Sequence, residues 1–339
     1  YLSIPSSKLT TMSCCSDAIF AIVNVLSQID SRKTIIIPSI SFPSVGSSVK
    51  AANLNLKIID VDPLTGNINL DELAKELDDD TLAVFHTHYG GIPVNTSTVR
   101  EIVGENVFIL EDSACAFGSF LKKDISVGSE ADFSCWSFDA MKLLVAGEGG
   151  AAYIKDEMIM NKFKEHLYLG LPAKDKSGLD KSDNNGNWWE YDLNDFGIRS
   201  VFTDINAAIA LPQFKTLNYA IKRRSEIRES YIDAINQNHD ITFSPQAESI
   251  QHSNYFFTIL SESRDEFARY MKENKVYCTF RYHPLHRINL FQTSSIIKNV
   301  TGADKFADTA LNIPIHQNLT DKEVLIIVDL LLSYRASSL

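Results

Sequence analysis

Several things are scarce in this chain, and each scarcity removes a class of protein. Basic residues are outnumbered: 32 Lys and Arg stand against 43 Asp and Glu, a net charge of −11, the wrong sign for a nucleic-acid-binding face. No apolar run approaches the roughly 20 residues that a membrane helix requires. Cysteine is sparse, five in 339 residues. Cys14, Cys15, Cys115, Cys135 and Cys278 show neither metal-ligand spacing nor a disulfide framework, so no metal site is expected and they read as reduced thiols in a cytoplasm. Internal repeats and low-complexity stretches are missing, and no signal peptide opens the chain. The first residue is Tyr1 rather than methionine, which leaves room for a leading segment. What remains, 45% hydrophobic and 22% charged, is an ordinary soluble globular composition, long enough for a large core and a second, smaller lobe.

One stretch organises the rest: residues 134 to 150, SCWSFDAMKLLVAGEGG. It begins as a buried strand, sets Lys142 just after the strand turns, and continues through Gly147, Gly149 and Gly150 into a second strand at 151–154. Apolar surroundings disfavour an ammonium and lower its pKa, and only the deprotonated amine adds to an aldehyde. Lys142 is therefore a candidate anchor for a pyridoxal cofactor. A lysine snorkelling from a strand end, with the glycines serving as turn, fits the local motif equally.

Upstream, residues 11–28 open with small polar residues and continue with helical apolar spacing at Ile19, Ile22, Val23 and Leu26. Ser16 and Asp17 suit a helix cap, which makes this start an anion site for a cofactor phosphate or simply a capped surface helix. Apolar strands are expected at 34–38, 56–60, 81–90 and 107–112, with helices at 70–77 and 96–103 between them. Strands alternating with helices indicate an α/β fold with a mostly parallel sheet covered on both faces, and in such sheets ligands sit at the carboxyl ends of strands. Ser16, Phe42, Asp112 and Lys142 all fall at strand ends or helix starts. Residues 173 to 190 read as a long polar insertion. Beyond it, a helix at 205–211 capped by Thr203 and Asp204, a longer one from 213 to about 236, strands at 255–260 and 276–282 and helices at 264–273 and 320–334 suggest a smaller α+β lobe. The boundary is set at 212/213, with a large cofactor-binding domain before it.

Eight motifs in order resemble the DegT/DnrJ/EryC1/StrS sugar aminotransferases, pyridoxal-phosphate enzymes of fold type I. They are CCSDAI at 14–19, PSISF at 38–42, DVDPLTGNI at 60–68, EDSACAFG at 111–118, SFDAMK at 137–142 with GEGG at 147–150, TDINAA at 203–208, YHPLH at 282–286 and LNIPIH at 311–316. The resemblance implies that Lys142 holds the cofactor covalently and moves the proton between the amino-acid α-carbon and the cofactor, which cycles through pyridoxamine phosphate. It implies that Asp112 pairs with the pyridine nitrogen, that Phe42 stacks on the ring, and that Ser16, the backbone around Cys15, and Ser137 hold the phosphate. Arg199 falls where the family's partner subunit completes the phosphate site, so a homodimer with shared sites is implied. The expected reaction carries an amino group from an amino acid, by the family's habit glutamate, to a nucleotide-linked keto sugar, with a preference for 4-keto-6-deoxy sugars. Arg281 and His286 are candidates for the diphosphate or sugar, or for lobe packing.

Three positions depart from the family pattern: Cys15 replaces a glycine, Cys115 a glutamine or histidine near the cofactor, and Arg199 an asparagine. The segment before the phosphate loop is also shorter than usual. Two rivals keep the same fold. One is a sugar dehydratase, in which histidine takes the lysine position; the other is a silent binding or regulatory homologue.

Overall fold

The computed structural model describes residues 2–122, 125–172, 190–246 and 251–336. In chain order its strands are β1 (Leu9–Met12), β2 (Thr34–Pro38), β3 (Asn55–Ile59), β4 (Thr81–Thr87), β5 (Phe108–Asp112), β6 (Phe120–Lys122), β7 (Ile125–Ser126), β8 (Phe133–Ser137), β9 (Gly150–Ile154), β10 (Thr242–Phe243), β11 (Phe257–Leu260), β12 (Ile296–Ile297) and β13 (Ala310–Ile313). Its helices are α1 (Cys15–Ile29), α2 (Pro43–Ala51), α3 (Leu70–Glu76), α4 (Thr96–Val103), α5 (Glu157–His166), α6 (Asp204–Ile235), α7 (Arg264–Glu273), α8 (Asn289–Ser294), α9 (Thr301–Thr309) and α10 (Asp321–Ser333).

Eight strands join in one sheet in the order β1-β9-β8-β5-β4-β2-β3-β12. Within it β9 alone runs antiparallel to its neighbours. β2, β4 and β8 are buried at every position, as strands covered on both faces must be. The pleat sends alternate residues to opposite cores. Ile35 and Ile37 join Ile22, Leu26 and Phe163 beneath α1, α2 and α5, while Ile36 joins Leu73 and Val99 beneath α3 and α4. A second sheet, β10-β11-β13, packs with α7, α10 and the end of α6 around Ile227, Tyr231, Phe257, Phe267 and Ile327.

Two expectations change. α6 is one helix of 32 residues running through Pro212 instead of two helices broken there, and the 212/213 boundary falls inside it. Proline removes one hydrogen bond and crowds the carbonyl four residues earlier. That carbonyl belongs to Ala208, which is exposed, so water can satisfy it. Leu217 and Ile221 anchor the first part of α6 against Trp136 and Tyr153, and Ile227 and Tyr231 anchor the last part in the second core. The strand expected at 276–282 is reduced to a single bridge between Thr279 and Asn312. Asn312 uses its backbone on Thr279 and its side-chain oxygen on the Arg281 N–H, so the ladder ends there. The polar insertion read at 173–190 lies, but for Glu190, outside the described residues. Among the described residues no helix is long and apolar enough to cross a membrane.

Candidate active site

Four carboxyl-end features converge on one cavity of about 310 Å³: Thr87 ending β4, Asp112 ending β5, Ser137 ending β8, and Phe42 in the loop after β2. The first turn of α1 faces it through Cys15 and Ser16, and Cys115, Lys142 and Arg281 complete the set of sequence-expected residues found there.

Lys142 reaches the cavity through a tight loop. Its N–H bonds the carbonyl of Asp139 at 2.9 Å, while Phe138 N–H bonds Gly149 O at 2.9 Å and Ala146 N–H bonds Phe138 O at 2.8 Å. Gly149 sits at φ +157°, where an added Cβ would meet the Phe202 ring at 2.4 Å. The loop can close this tightly only with glycine there. Lys142 Nζ lies 3.7 Å from Cys115 Sγ and 5.0 Å from the centre of the Tyr255 ring. The direction of its pKa corrects the sequence-based expectation. Burial disfavours the ammonium, but the acidic groups Cys115, Tyr255 and Asp112 around it outweigh burial, and the net displacement is upward. As the residues stand, Lys142 favours its charged form.

Asp112 is 4% exposed, and burial pushes its carboxyl above the ordinary range against the opposing pull of the Ala114 N–H and Lys142. Its Oδ1 accepts from Ala114 N at 3.0 Å, and no other described residue donates to it. The N-cap of α1 is Cys14, which makes no side-chain cap bond, in place of the expected Ser16 and Asp17. The Asp17 carboxylate instead accepts from the Ser13 and Ser200 hydroxyls at 2.7 and 2.6 Å. Apart from the Cys14 sulfur, which the Ser16 and Asp17 N–H groups approach, side chains leave the first turn of α1 open to an anion. Ser137 Oγ accepts from Asp139 N at 3.4 Å, keeping its own proton to donate. Phe42, 48% exposed, meets Tyr282 edge to face at 5.5 Å. A partly buried lysine, a buried carboxylate short of donors, an uncapped helix start and flat aromatic walls are the donor set that pyridoxal phosphate requires, and the residues fit it.

Two expected residues lie elsewhere. His286 is 8% exposed and both ring nitrogens are engaged, Nδ1 with Ser39 Oγ at 2.5 Å and Nε2 with Asp304 Oδ1 at 3.0 Å. It ties the 285–287 turn to the sheet and to α9. Arg199 is exposed outside this cavity, its guanidinium 5.1 Å from the centre of the Tyr168 ring. Conversely, Tyr255, Tyr282 and Glu148 line the cavity without having been singled out. Tyr282 and Glu148 lie within motifs quoted above, whereas Tyr255 carries no local signal.

On the opposite face of β4 and β5, His86, His88 and Glu111 have ligand-capable atoms within 4.8 Å of one another. Protein groups already occupy two of them. His88 Nδ1 accepts from Val94 N–H at 2.9 Å, its Nε2 lies 3.4 Å from Glu111, and Glu111 also accepts from Thr96.

Comparison with known proteins places this geometry. The model of the DegT/DnrJ/EryC1/StrS aminotransferase family matches residues 6–332. The chain is 29% identical over 333 residues to the dTDP-4-dehydro-2,3,6-trideoxy-D-glucose 4-aminotransferase of Saccharopolyspora spinosa, covering 97% of this chain and 85% of that protein. It is 23% identical over 299 residues to the GDP-perosamine synthase of Escherichia coli O157:H7, covering 87% and 77%. Among solved structures, the aminotransferase TlmJ from Streptoalloteichus hindustanus superposes with a TM-score of 0.88 at 30% identity, over 98% of this chain and 87% of that one. With nearly the whole chain matched and the lysine, carboxylate and helix start gathered in one cavity, the protein belongs to the DegT/DnrJ/EryC1/StrS aminotransferase family and is a pyridoxal-phosphate-dependent aminotransferase of fold type I.

Proposed function

We propose that this enzyme transfers an amino group from glutamate to a nucleotide-linked keto sugar, with 4-keto-6-deoxy sugars as its preferred acceptors. The observation that carries the reading is the opening of Lys142 and the buried Asp112 onto one cavity beside the start of α1. Bound there, pyridoxal phosphate supplies an electron sink for the charge that develops at the amino-acid α-carbon. Asp112 keeps a proton on the pyridine nitrogen, a task suited to a carboxylate with one protein donor. Lys142 carries the cofactor covalently and then moves a proton at the α-carbon. Because its surroundings favour the ammonium, Lys142 would have to give up a proton before it could hold the cofactor, and Cys115 Sγ lies 3.7 Å from its Nζ. The first-turn N–H groups at Cys15 and Ser16, with the Ser137 hydroxyl, bind the phosphate, and the Phe42 ring covers the cofactor. Arg281 faces the acceptor. The exposed Arg199 completes the phosphate site of a second subunit, so the active unit is a homodimer. The chain divides into a large lobe to residue 212 and a smaller one from 213, with α6 common to both.

The test is a panel. Protein loaded with pyridoxal phosphate and treated with glutamate should release 2-oxoglutarate in stoichiometric amount and change its visible absorbance, then regain the original spectrum with a nucleotide 4-keto sugar, giving an amino sugar by mass spectrometry. A deoxygenated sugar product would point to the dehydratase reading. A spectrum indifferent to every amino donor would sink transamination.

A further inference from the structure

The loop that carries Arg199 is fastened to the start of α1 in its own subunit. Ser200, the next residue, is 5% exposed, and its hydroxyl lies 2.6 Å from the Asp17 carboxylate and 2.5 Å from the Ser13 hydroxyl. Ser13 closes the triangle with its own bond to Asp17 at 2.7 Å, and its backbone N–H donates to Ser200 Oγ at 3.0 Å. Hydrogen bonds to an ionised group are the strong ones, and a carboxylate in the first turn of a helix is favoured further by the helix dipole. Ser13 follows β1 directly, and Asp17 lies in the first turn of α1, which faces the cofactor cavity through Cys15 and Ser16. On its other side the loop is bonded to the end of α5. Ile198 N–H donates to His166 O at 2.8 Å, Ser200 N–H to Leu167 O at 2.9 Å, and Leu169 N–H to Ile198 O at 3.0 Å. The backbone around Arg199 is thus held within its own subunit, while Arg199 itself is exposed and makes no ion pair among the described residues. Its surroundings are apolar and open: Phe196 is 91% exposed, and Tyr168, Leu169, Val201 and Ile205 are exposed as well. Such a patch suits cover by a second copy of the chain.

We propose that Ser13, Asp17 and Ser200 are positioning residues that couple the two cofactor sites of the dimer: they steady the phosphate turn of one site and, through Ser200, aim Arg199 into the other. This inference rests on the shared-site reading above and adds the link between the sites. Phosphate bound at the start of α1 fixes that turn, Asp17 is part of the turn, Ser200 is bonded to Asp17, and Arg199 is the residue before Ser200. A filled site therefore presents a better-held arginine to its partner. By reciprocity, a phosphate that engages Arg199 in the partner's site steadies the turn from which the chain of bonds began. Cutting Ser200 from Asp17 leaves the bonds of residues 198–200 to α5 in place, so the loop survives while its tie to α1 is lost.

The experiment uses hybrid dimers of two differently tagged chains, purified through both tags. One chain is unaltered. The other carries Lys142→Ala, which removes its covalent anchor, together with a second substitution. Pyridoxal phosphate is titrated in and fixed with borohydride, and the labelled fraction of the unaltered chain is read by mass, so the readout is cofactor affinity at a site whose own turn is intact. With Lys142→Ala alone in the other chain, this gives the reference affinity. Adding Ser200→Ala to that chain should weaken loading of the unaltered chain about fivefold or more, and Asp17→Ala should do the same. Both together should be no worse than either alone, because they cut one connection. A purely structural defect in the substituted chain does not reach across to an unaltered site in this way. If one substitution prevents assembly, seen as no dimer recovered through both tags, the other carries the result. Reference affinity with both Ser200→Ala and Asp17→Ala overturns the coupling. An Arg199→Ala arm separates the two readings. A loss of affinity there, without one from Ser200→Ala and Asp17→Ala, removes the coupling and leaves shared sites standing; reference affinity with Arg199→Ala removes the shared sites themselves and the coupling with them.

Discussion

Replacing Gly150 with alanine sets a methyl group 2.6 Å from the backbone nitrogen of Cys15 and 2.7 Å from the carbonyl carbon of Cys14. Neither neighbour is a flexible side-chain end, so one stretch of backbone must move. Opening 2.6 Å to an ordinary 3.4 Å contact asks for about 0.8 Å. β9 is held on both sides by β8 and β1, whereas residues 13 and 14 are a loop, so the start of α1 is the part that yields. Overpacking of this kind costs about 1–3 kcal/mol of stability. Its larger effect falls on the cofactor. The displaced turn carries the N–H groups proposed to hold the phosphate, and a hydrogen bond of about 2.9 Å lengthened by that amount leaves the bonding range. Losing one bond to a charged group, about 1.5–3 kcal/mol, weakens cofactor binding by about 10- to 150-fold. Equilibrium dialysis of pyridoxal phosphate against the two proteins measures the affinity, and thermal unfolding run in parallel measures the stability. Wild-type cofactor affinity in Gly150→Ala would refute both the packing estimate and the phosphate assignment.

Other outcomes follow from the same geometry. Asp112→Asn keeps the shape and the Ala114 contact but removes the charge, so cofactor should still load while turnover falls on the order of 10²-fold or more; single-turnover reaction with glutamate checks this, and near-normal rates would remove Asp112 from its role. Mixing Lys142→Ala with Arg199→Ala protein should restore part of the activity through hybrid dimers, and no recovery despite demonstrated subunit exchange would count against shared sites. Burial, with His88 beside it, lowers His86 from 6.5 to about 3, so the unfolded chain binds a proton there that the folded chain refuses. Stability from this group is complete above pH 6.5 and is lost as pH falls toward 3, at about 1.4 kcal/mol per pH unit. His86→Leu should flatten the acid limb of a denaturation series by about one proton, and an unchanged slope would show that His86 does not titrate this way.

Much of the large sheet was legible because its strands are buried on both faces. Residues 34–38 and 107–112 are unbroken apolar runs ended by proline or by paired carboxylates, a pattern that burial on both sides imposes and a surface strand would not tolerate. Asp112 stood out for the same reason, as a charged residue ending such a run, and Lys142 because it follows the turn after β8 beside a glycine-rich loop; parallel strands carry their ends to one edge, which brings both to one cavity. Sequence alone misjudged what depends on neighbours distant along the chain. Pro212 breaks a helix by local rules, yet α6 continues through it because two separate cores grip its ends and water serves the freed carbonyl. The YHPLH motif marks a site segment, but Ser39 and Asp304 claim both nitrogens of His286. Tyr255 enters the cavity from a stretch with no periodicity of its own. The Lys142 pKa moves opposite to the expectation from burial because Cys115, Tyr255 and Asp112 converge on it. Local pattern decides where strands, turns and end-of-strand charges fall, whereas the sign of an electrostatic effect and the partners of a side chain depend on which distant groups packing brings within a few ångströms.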